Sequence, residues 1–207
     1  MASQNKSENW ISRWRDIWRR FSGRGVYPHE LAFLLESPLR DLILSPHQLA
    51  DRLHLSSDSS VLEIGPGPGF FSVEVARRIH GGRLVLFDIQ SEMLEKSRTR
   101  LKRASVNNYH LVRGSADRLP FSPNAFDTVF LVTVLGEVPQ PSECLASISR
   151  VLRPGGLLSV SEQTGDPDAF SQIRLLHLAE QNGFEYLEHS PFFSGFTLNL
   201  KKVSSVA

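Results

Sequence analysis

Residues 61–70, VLEIGPGPGF, run from an apolar stretch through one acid into glycines at 65, 67 and 69 with prolines between them. The first half reads as a buried strand. The second half reads as a turn, because glycine adopts backbone conformations closed to other residues. FFSVEVARRI follows with a helical pattern, and Gly81–Gly82 mark its end. A bare backbone between a strand and a helix is a place where a ligand lies directly on peptide groups.

Working outward from that turn, short β-rich runs alternate with helical ones. RLVLFD is a second strand, and residues 91–104 form a second helix with a charged outer face. YHLVRG is a third strand, AFDTVFLVTVL contains a fourth, and SECLASISRVL is the helix after it. GGLLSVSEQ is a fifth strand, and SQIRLLHLAEQNG is a helix with Gly183 as its stop. FEYLEHSPFFSGFTLNLKKV reads as two final strands. Such alternation predicts an α/β fold with a mostly parallel sheet covered by helices on both faces. Residues 1–55 differ: WISRWRDIWRRF and HELAFLLESPLRDLILSPHQLADRL read as helices broken by Gly23, Gly25, Pro38 and Pro46. They are expected to form an N-terminal helical cap, not independent of a main domain over 56–207.

Composition narrows the function. The 207 residues are 41% hydrophobic and 22% charged, as in an ordinary globular protein. Net charge is +1, but residues 1–25 carry +4 and the rest −3. A body without basic excess argues against nucleic acid as a partner. Cys144 is the single cysteine, so there is no internal disulfide framework or multi-cysteine metal site. The histidines form no ligand spacing, and no metal is expected. MASQNKSENW holds no apolar leader core, and a cytoplasmic location is the expectation.

The loop chemistry separates two cofactor classes. Dinucleotide binders favour G-x-G-x-x-G, whose third glycine falls here on Phe70. Gly65, Gly67 and Gly69 instead give G-x-G-x-G behind Glu63, and a carboxylate that close repels a pyrophosphate but suits an ammonium or sulfonium. VLEIGPGPGFFSVEVA resembles the first motif of class I S-adenosylmethionine-dependent methyltransferases. The resemblance continues in order through LFDIQSEML, GSADRLPF, AFDTVFLVTVLGEVPQP and VLRPGGLLSV, over residues 60 to about 163. It is nearest to the small-molecule branch that includes quinone methyltransferases. It implies a Rossmann-like sheet of seven strands, the last antiparallel, and S-adenosyl-L-methionine as cofactor.

Residue roles follow from the resemblance. Backbone at Gly65, Gly67 and Gly69 would meet the methionine part of the cofactor, with Glu63 orienting the loop and favouring the amino end. Asp88 ends the second strand, 19 residues after Gly69, where a carboxylate accepts both ribose hydroxyls; the same geometry serves NAD. Gln90 lies on the ribose side. In RGSAD, Ser115 stands where the family often has an aspartate for the adenine amino group, and Ala116 follows; Ser115 or Asp117 is left to supply that contact. Leu131 and Val132 end the fourth strand and should touch the cofactor. Many relatives carry histidine near Gly136 and Glu137; here Gly136 is expected to open space and Glu137 to place a carboxylate near the transferred methyl. Tyr27 is expected to lie over the cofactor, and Glu137 and His29 are the candidate catalytic bases.

The leading expectation is therefore an enzyme that methylates a small, apolar acceptor. The alternative is a catalytically inactive cofactor-binding regulatory or interaction module, which Ser115 and the absent histidines favour. An NAD-dependent oxidoreductase is opposed by Phe70. Trp10, Trp14, Ile17, Trp18 and Phe21 gather on one helical face, with arginines on the sides. That face packs as a lid over the body, or it makes peripheral contact with an anionic membrane.

Overall fold

The structure, a computed structural model, describes residues 44–163 and 168–203. Most of the expected cap, including the tryptophan-rich segment, lies outside the described residues. The chain order is α1 (Pro46–Arg52), β1 (Ser60–Ile64), α2 (Ser72–Arg78), β2 (Arg83–Asp88), α3 (Ser91–Arg103), β3 (Tyr109–Arg113) and β4 (Phe126–Val132). A 3₁₀ turn, Leu135–Glu137, leads to α4 (Pro141–Val151), β5 (Leu152–Gln163), α5 (Gln172–Gln181), β6 (Phe184–Phe192) and β7 (Gly195–Lys202).

The seven strands lie in the order β3-β2-β1-β4-β5-β7-β6. β3, β2, β1, β4 and β5 are mutually parallel. β7 runs antiparallel to both β5 and β6, so the last strand alone opposes the rest, as expected. The strand order reverses between β1 and β4. A loop leaving β1 there turns away from the loop leaving β4, which opens a crevice beyond the carboxyl ends of the strands.

Both faces of the sheet are buried, which is why its strands read as unbroken apolar runs. Leu62, Ile64, Val129, Leu131 and Leu158 face α4 and α5, packing with Leu145, Ile148 and Leu175. Val61, Leu84, Leu86 and Phe130 face the other way, with Val75 and Ile79 of α2 and Leu101 of α3. Leu49, Ala50 and Leu53 join this second core, so α1 is part of the body's packing. Pro46, expected to break a helix, instead starts one. It is at the first helical position, behind a capping box in which the Ser45 hydroxyl accepts from the Gln48 amide at 3.1 Å. Cys144 is fully buried in the α4 core. Burial, aided by the nearby Asp117 charge, pushes its thiol pKa up to about 12, which leaves it inert.

Gly69 shows how the β1–α2 turn is wedged against α3. Its φ is +77°, and a β-carbon there would lie 3.0 Å from the backbone Cα of Ser97. Both effects penalise any side chain, by about 1–3 kcal/mol together. Gly69→Ala is expected to lower thermal stability accordingly, as read by a shift in the calorimetric melting temperature.

Candidate functional site

A cleft opens at the strand-order reversal. One wall is the loop after β1, with Gly65, Gly67, Phe70 and the buried Glu63 beneath. Asp88 and Gln90 close one end, beside Met93 of α3. Ser115 and Ala116 come from the loop after β3. Val132, Thr133, Val134 and Glu137 come from the end of β4 and the turn that follows. The cleft thus brings together residues from four loops that the sequence separates by more than seventy positions.

The glycine loop is held by its own backbone. Gly65, Gly67 and Gly69 have φ of +68°, +54° and +77°, all in the left-handed region that favours glycine. The Gly65 amide donates to the Phe87 carbonyl at 2.9 Å, and the Ser97 hydroxyl donates to the Gly67 carbonyl at 2.8 Å. A β-carbon on Gly65 would collide with the side chain of Val134, so the loop and the β4 exit interlock. Glu63 is only 2% exposed, and its Oε2 accepts from the Ser72 hydroxyl at 2.5 Å. That bond ties the end of β1 to the first residue of α2 across the whole turn.

Asp88 is 8% exposed and its Oδ1 accepts from the Gln90 amide at 2.8 Å. Burial raises its pKa from 3.8 to about 6, although the amides of Gln90, Ile89 and Gly67 pull in the opposite direction. The cleft therefore holds a carboxylate that is poorly solvated, suited to a ligand that brings hydroxyl groups. Glu137 is half-buried on the 3₁₀ turn, its amide donating to the Val134 carbonyl at 3.0 Å.

Several expected positions fall elsewhere. Leu131 is in the α4 core, 1% exposed, and does not line the cleft; only its neighbour Val132 does. Gly69 faces α3 and not the cleft. Asp117 does not line the cleft either, and its Oδ1 is buried without a hydrogen-bond partner, which leaves Ser115 as the polar side chain on that wall. Gly136 does not open space: a β-carbon there would meet the carbonyl oxygen of Asp168, so the residue is bare because the loop after β5 packs on it. Tyr27 and His29 lie outside the described residues. Met93, Thr133 and Val134 are among the cleft residues not foreseen. Thr133 has φ of +54°, uncommon for a β-branched residue. It is held there by its amide donating to the Ser161 carbonyl at 2.8 Å. Nothing in LVTVL signals that reversal.

The raised pKa of Asp88 has a stability consequence. Its folded value lies above the ordinary one, so the native state binds the proton more tightly than the unfolded chain. Stability from this group is present below about pH 4 and is lost as the pH rises through about 6. Asp88→Asn should therefore match the parent at pH 4 and melt higher than it at pH 7–8 without ligand. Melting curves across that range test the sign.

Residues 62–160 match a family described as a methyltransferase domain. The ubiquinone/menaquinone biosynthesis C-methyltransferase UbiE of Haemophilus ducreyi is 40% identical over 104 residues, covering 49% of this chain and 40% of that protein. The UbiE of Pseudomonas entomophila is 38% identical over 108 residues, 51% of this chain and 42% of that one. The match thus spans about two fifths of the length of these curated relatives. Among solved structures, a SAM-dependent methyltransferase from Aquifex aeolicus superposes with a TM-score of 0.81 over 86% of this chain and 100% of its own, at 19% identity. The fold agrees along nearly all of that chain, and residues 62–160, the segment that builds the cleft, are similar to the methyltransferase domain of that family.

Proposed function

We propose that this chain is an enzyme that methylates a small, apolar, quinone-related acceptor. The observation that carries the reading is the cleft itself, which unites a left-handed glycine loop, a buried carboxylate at Asp88 and a second carboxylate at Glu137. The acceptor class is drawn from the quinone-pathway relatives.

S-adenosylmethionine supplies a methyl group already activated on a sulfonium, so the protein's task is to position and desolvate. The bare backbone at Gly65 and Gly67 would receive the methionine part, with Gly69 shaping the turn. Glu63, buried under the loop, favours the cationic amino end. Asp88 would accept the two ribose hydroxyls, and Gln90 would flank them. Ser115 and the amide at Ala116 would meet the adenine edge. Val132 would pack on the cofactor at the end of β4, with Leu131 supporting it from the core side. Glu137 stands on the wall formed by the loop after β4, where it would take the proton released when a ring carbon or oxygen is methylated. His29 is the other candidate base, and Tyr27 the candidate cover, both from the N-terminal segment.

Ser115 in place of the family's aspartate favours a second reading, a binding module without catalysis. Calorimetry with S-adenosylhomocysteine and NAD, followed by transfer of labelled methyl to a short-chain naphthohydroquinone, decides between them. Binding of S-adenosylhomocysteine without any transfer supports the module; binding of NAD alone defeats both. In the enzyme, Asp88→Ala removes two charge-assisted hydrogen bonds of about 1.5–3 kcal/mol each and should weaken S-adenosylhomocysteine at least tenfold. Glu137→Gln should lower kcat by about 100-fold and leave that affinity unchanged. Equal loss of both would make Glu137 structural.

The tryptophan-rich N-terminal segment lies outside the described residues, and in the same reading it would serve as a lid over the acceptor. No helix among the described residues is long and apolar enough to cross a membrane. A cytoplasmic enzyme with a lipid-like acceptor would meet the bilayer peripherally, through the Trp10, Trp14 and Trp18 face. Deleting residues 1–25 should lower the melting temperature and cofactor affinity if the segment is a lid. Salt-reversible sedimentation of the full chain with anionic vesicles would instead assign it to the membrane.

A further inference from the structure

Arg52 ends α1 and is half-buried on the face of the sheet that carries α1, α2 and α3. Its Nη1 donates to the Thr197 hydroxyl at 2.7 Å and its Nη2 to the Pro191 carbonyl at 3.1 Å. Its own carbonyl accepts from the Asn199 amide group at 2.7 Å. The guanidinium is therefore fixed in place. Its bonds nevertheless go to neutral oxygens, and it forms no ion pair with a carboxylate of the described residues. Glu188 acts on it at a distance, but that carboxylate is bonded to His54 at 3.2 Å. Partial burial lowers the guanidinium's pKa, and the Glu188 charge opposes that shift. A partly buried cation whose direct bonds go to neutral oxygens keeps attraction to spare for an anion placed beside it.

The position of Arg52 relative to the cleft follows from strand register. Val132, which lines the cleft, pairs with Ser161, and Ser161 pairs with Thr197. Cross-strand partners share a face, so these three side chains form one row. Two strand spacings place Thr197, and Arg52 on it, about 10 Å from Val132 along the sheet. The row is polar and tightly tied: the Ser161 and Thr197 hydroxyls are 2.9 Å apart. Below it, the buried Ser159 Oγ and Asn199 Oδ1 have no hydrogen-bond partner. Phe192 adds an aromatic face 5.7 Å from the guanidinium carbon. A ring seated over Val132 would reach toward Arg52 with any oxygen on its far side.

We propose that Arg52 is a specificity-determining residue that anchors an anionic oxygen, a carboxylate or phenolate on an aromatic ring, at the far end of the acceptor site. The proposal rests on the methyltransferase reading above. It concerns acceptor binding and leaves the cofactor contacts unchanged.

The test uses the full chain saturated with S-adenosylhomocysteine and titrated calorimetrically with 2-naphthoate and its neutral isostere 2-naphthamide. The parent is expected to bind naphthoate at least tenfold more tightly than naphthamide. Arg52→Gln should erase that preference with S-adenosylhomocysteine affinity unchanged, and Arg52→Lys should keep part of it. Thr197→Val loosens the same anchorage without removing charge, so it should weaken naphthoate and preserve its advantage over naphthamide. Equal binding of the two probes by the parent, binding of neither, or a preference that survives in Arg52→Gln overturns the proposal. If Arg52→Gln does not fold, an undiminished preference in Arg52→Lys together with unchanged naphthoate affinity in Thr197→Val overturns it equally. Failure to bind S-adenosylhomocysteine at all would show that the methyltransferase reading itself is wrong.

Discussion

Three left-handed residues in five positions, Gly65, Gly67 and Gly69, set the geometry on which the rest of the molecule depends. The turn must reverse β1 into α2 within a few residues and still present bare backbone. Two of the glycines are bare for packing reasons. At 65 the space belongs to Val134, and at 69 to the backbone of α3. The middle one, Gly67, borders the cleft. The bonds from Gly65 to Phe87 and from Ser97 to Gly67 then fasten the loop to β2 and α3. A side chain at 65 would move the exit of β4, and one at 69 the seat of α3. Ligand access and fold are therefore one constraint here.

That constraint has an electrostatic counterpart. Glu63 and Asp88 are both buried carboxylates at the carboxyl ends of neighbouring strands. Glu63 is satisfied inside the protein by Ser72 and ties the turn together. Asp88 accepts from backbone amides, yet burial outweighs them and raises its pKa to about 6. The protein thus carries one acid for structure and one at a cost to stability. Strain and poor solvation of this kind gather where a ligand later supplies the missing partner. Thr133, left-handed at the opposite wall, belongs to the same pattern.

Much of this was legible in the sequence, for identifiable reasons. Alternating β and helical runs reveal a parallel sheet because both faces must be apolar. Asp88 stands out because it ends such a run, and the glycine loop because no core strand tolerates three glycines. Those same apolar faces explain what was not legible. Leu131 and Val132 look alike in sequence, yet a single step along the strand sends one to the α4 core and the other to the cleft. Gly136 looked like space for an acceptor, but a glycine is equally bare when a distant backbone, here Asp168, occupies its flank. Pro46 looked like a break because a proline's meaning depends on whether a capping residue precedes it. Thr133 gave no signal, since its conformation is held by a bond to Ser161, 28 positions on, and by its own hydroxyl donating to the Val132 carbonyl.

The boundaries of the family match show where individuality resides. The matching segment, 62–160, ends inside β5 and contains every strand of the cofactor cleft. It excludes α1 on one side and the β6–β7 hairpin on the other. Because β7 runs antiparallel beside β5, it returns Thr197 to the level of Ser161, next to the cleft wall. The Arg52–Thr197 bond then joins residues 145 positions apart, both outside that segment. A helix before the shared segment and a hairpin after it meet on one face, adjacent to the Val132 wall of the cleft. No residue lining the cleft lies on α1 or β7. Both elements are also bound to the body by packing, because α1 adds Leu49, Ala50 and Leu53 to the core of α2 and α3, and β7 pairs with β5 on one side and β6 on the other.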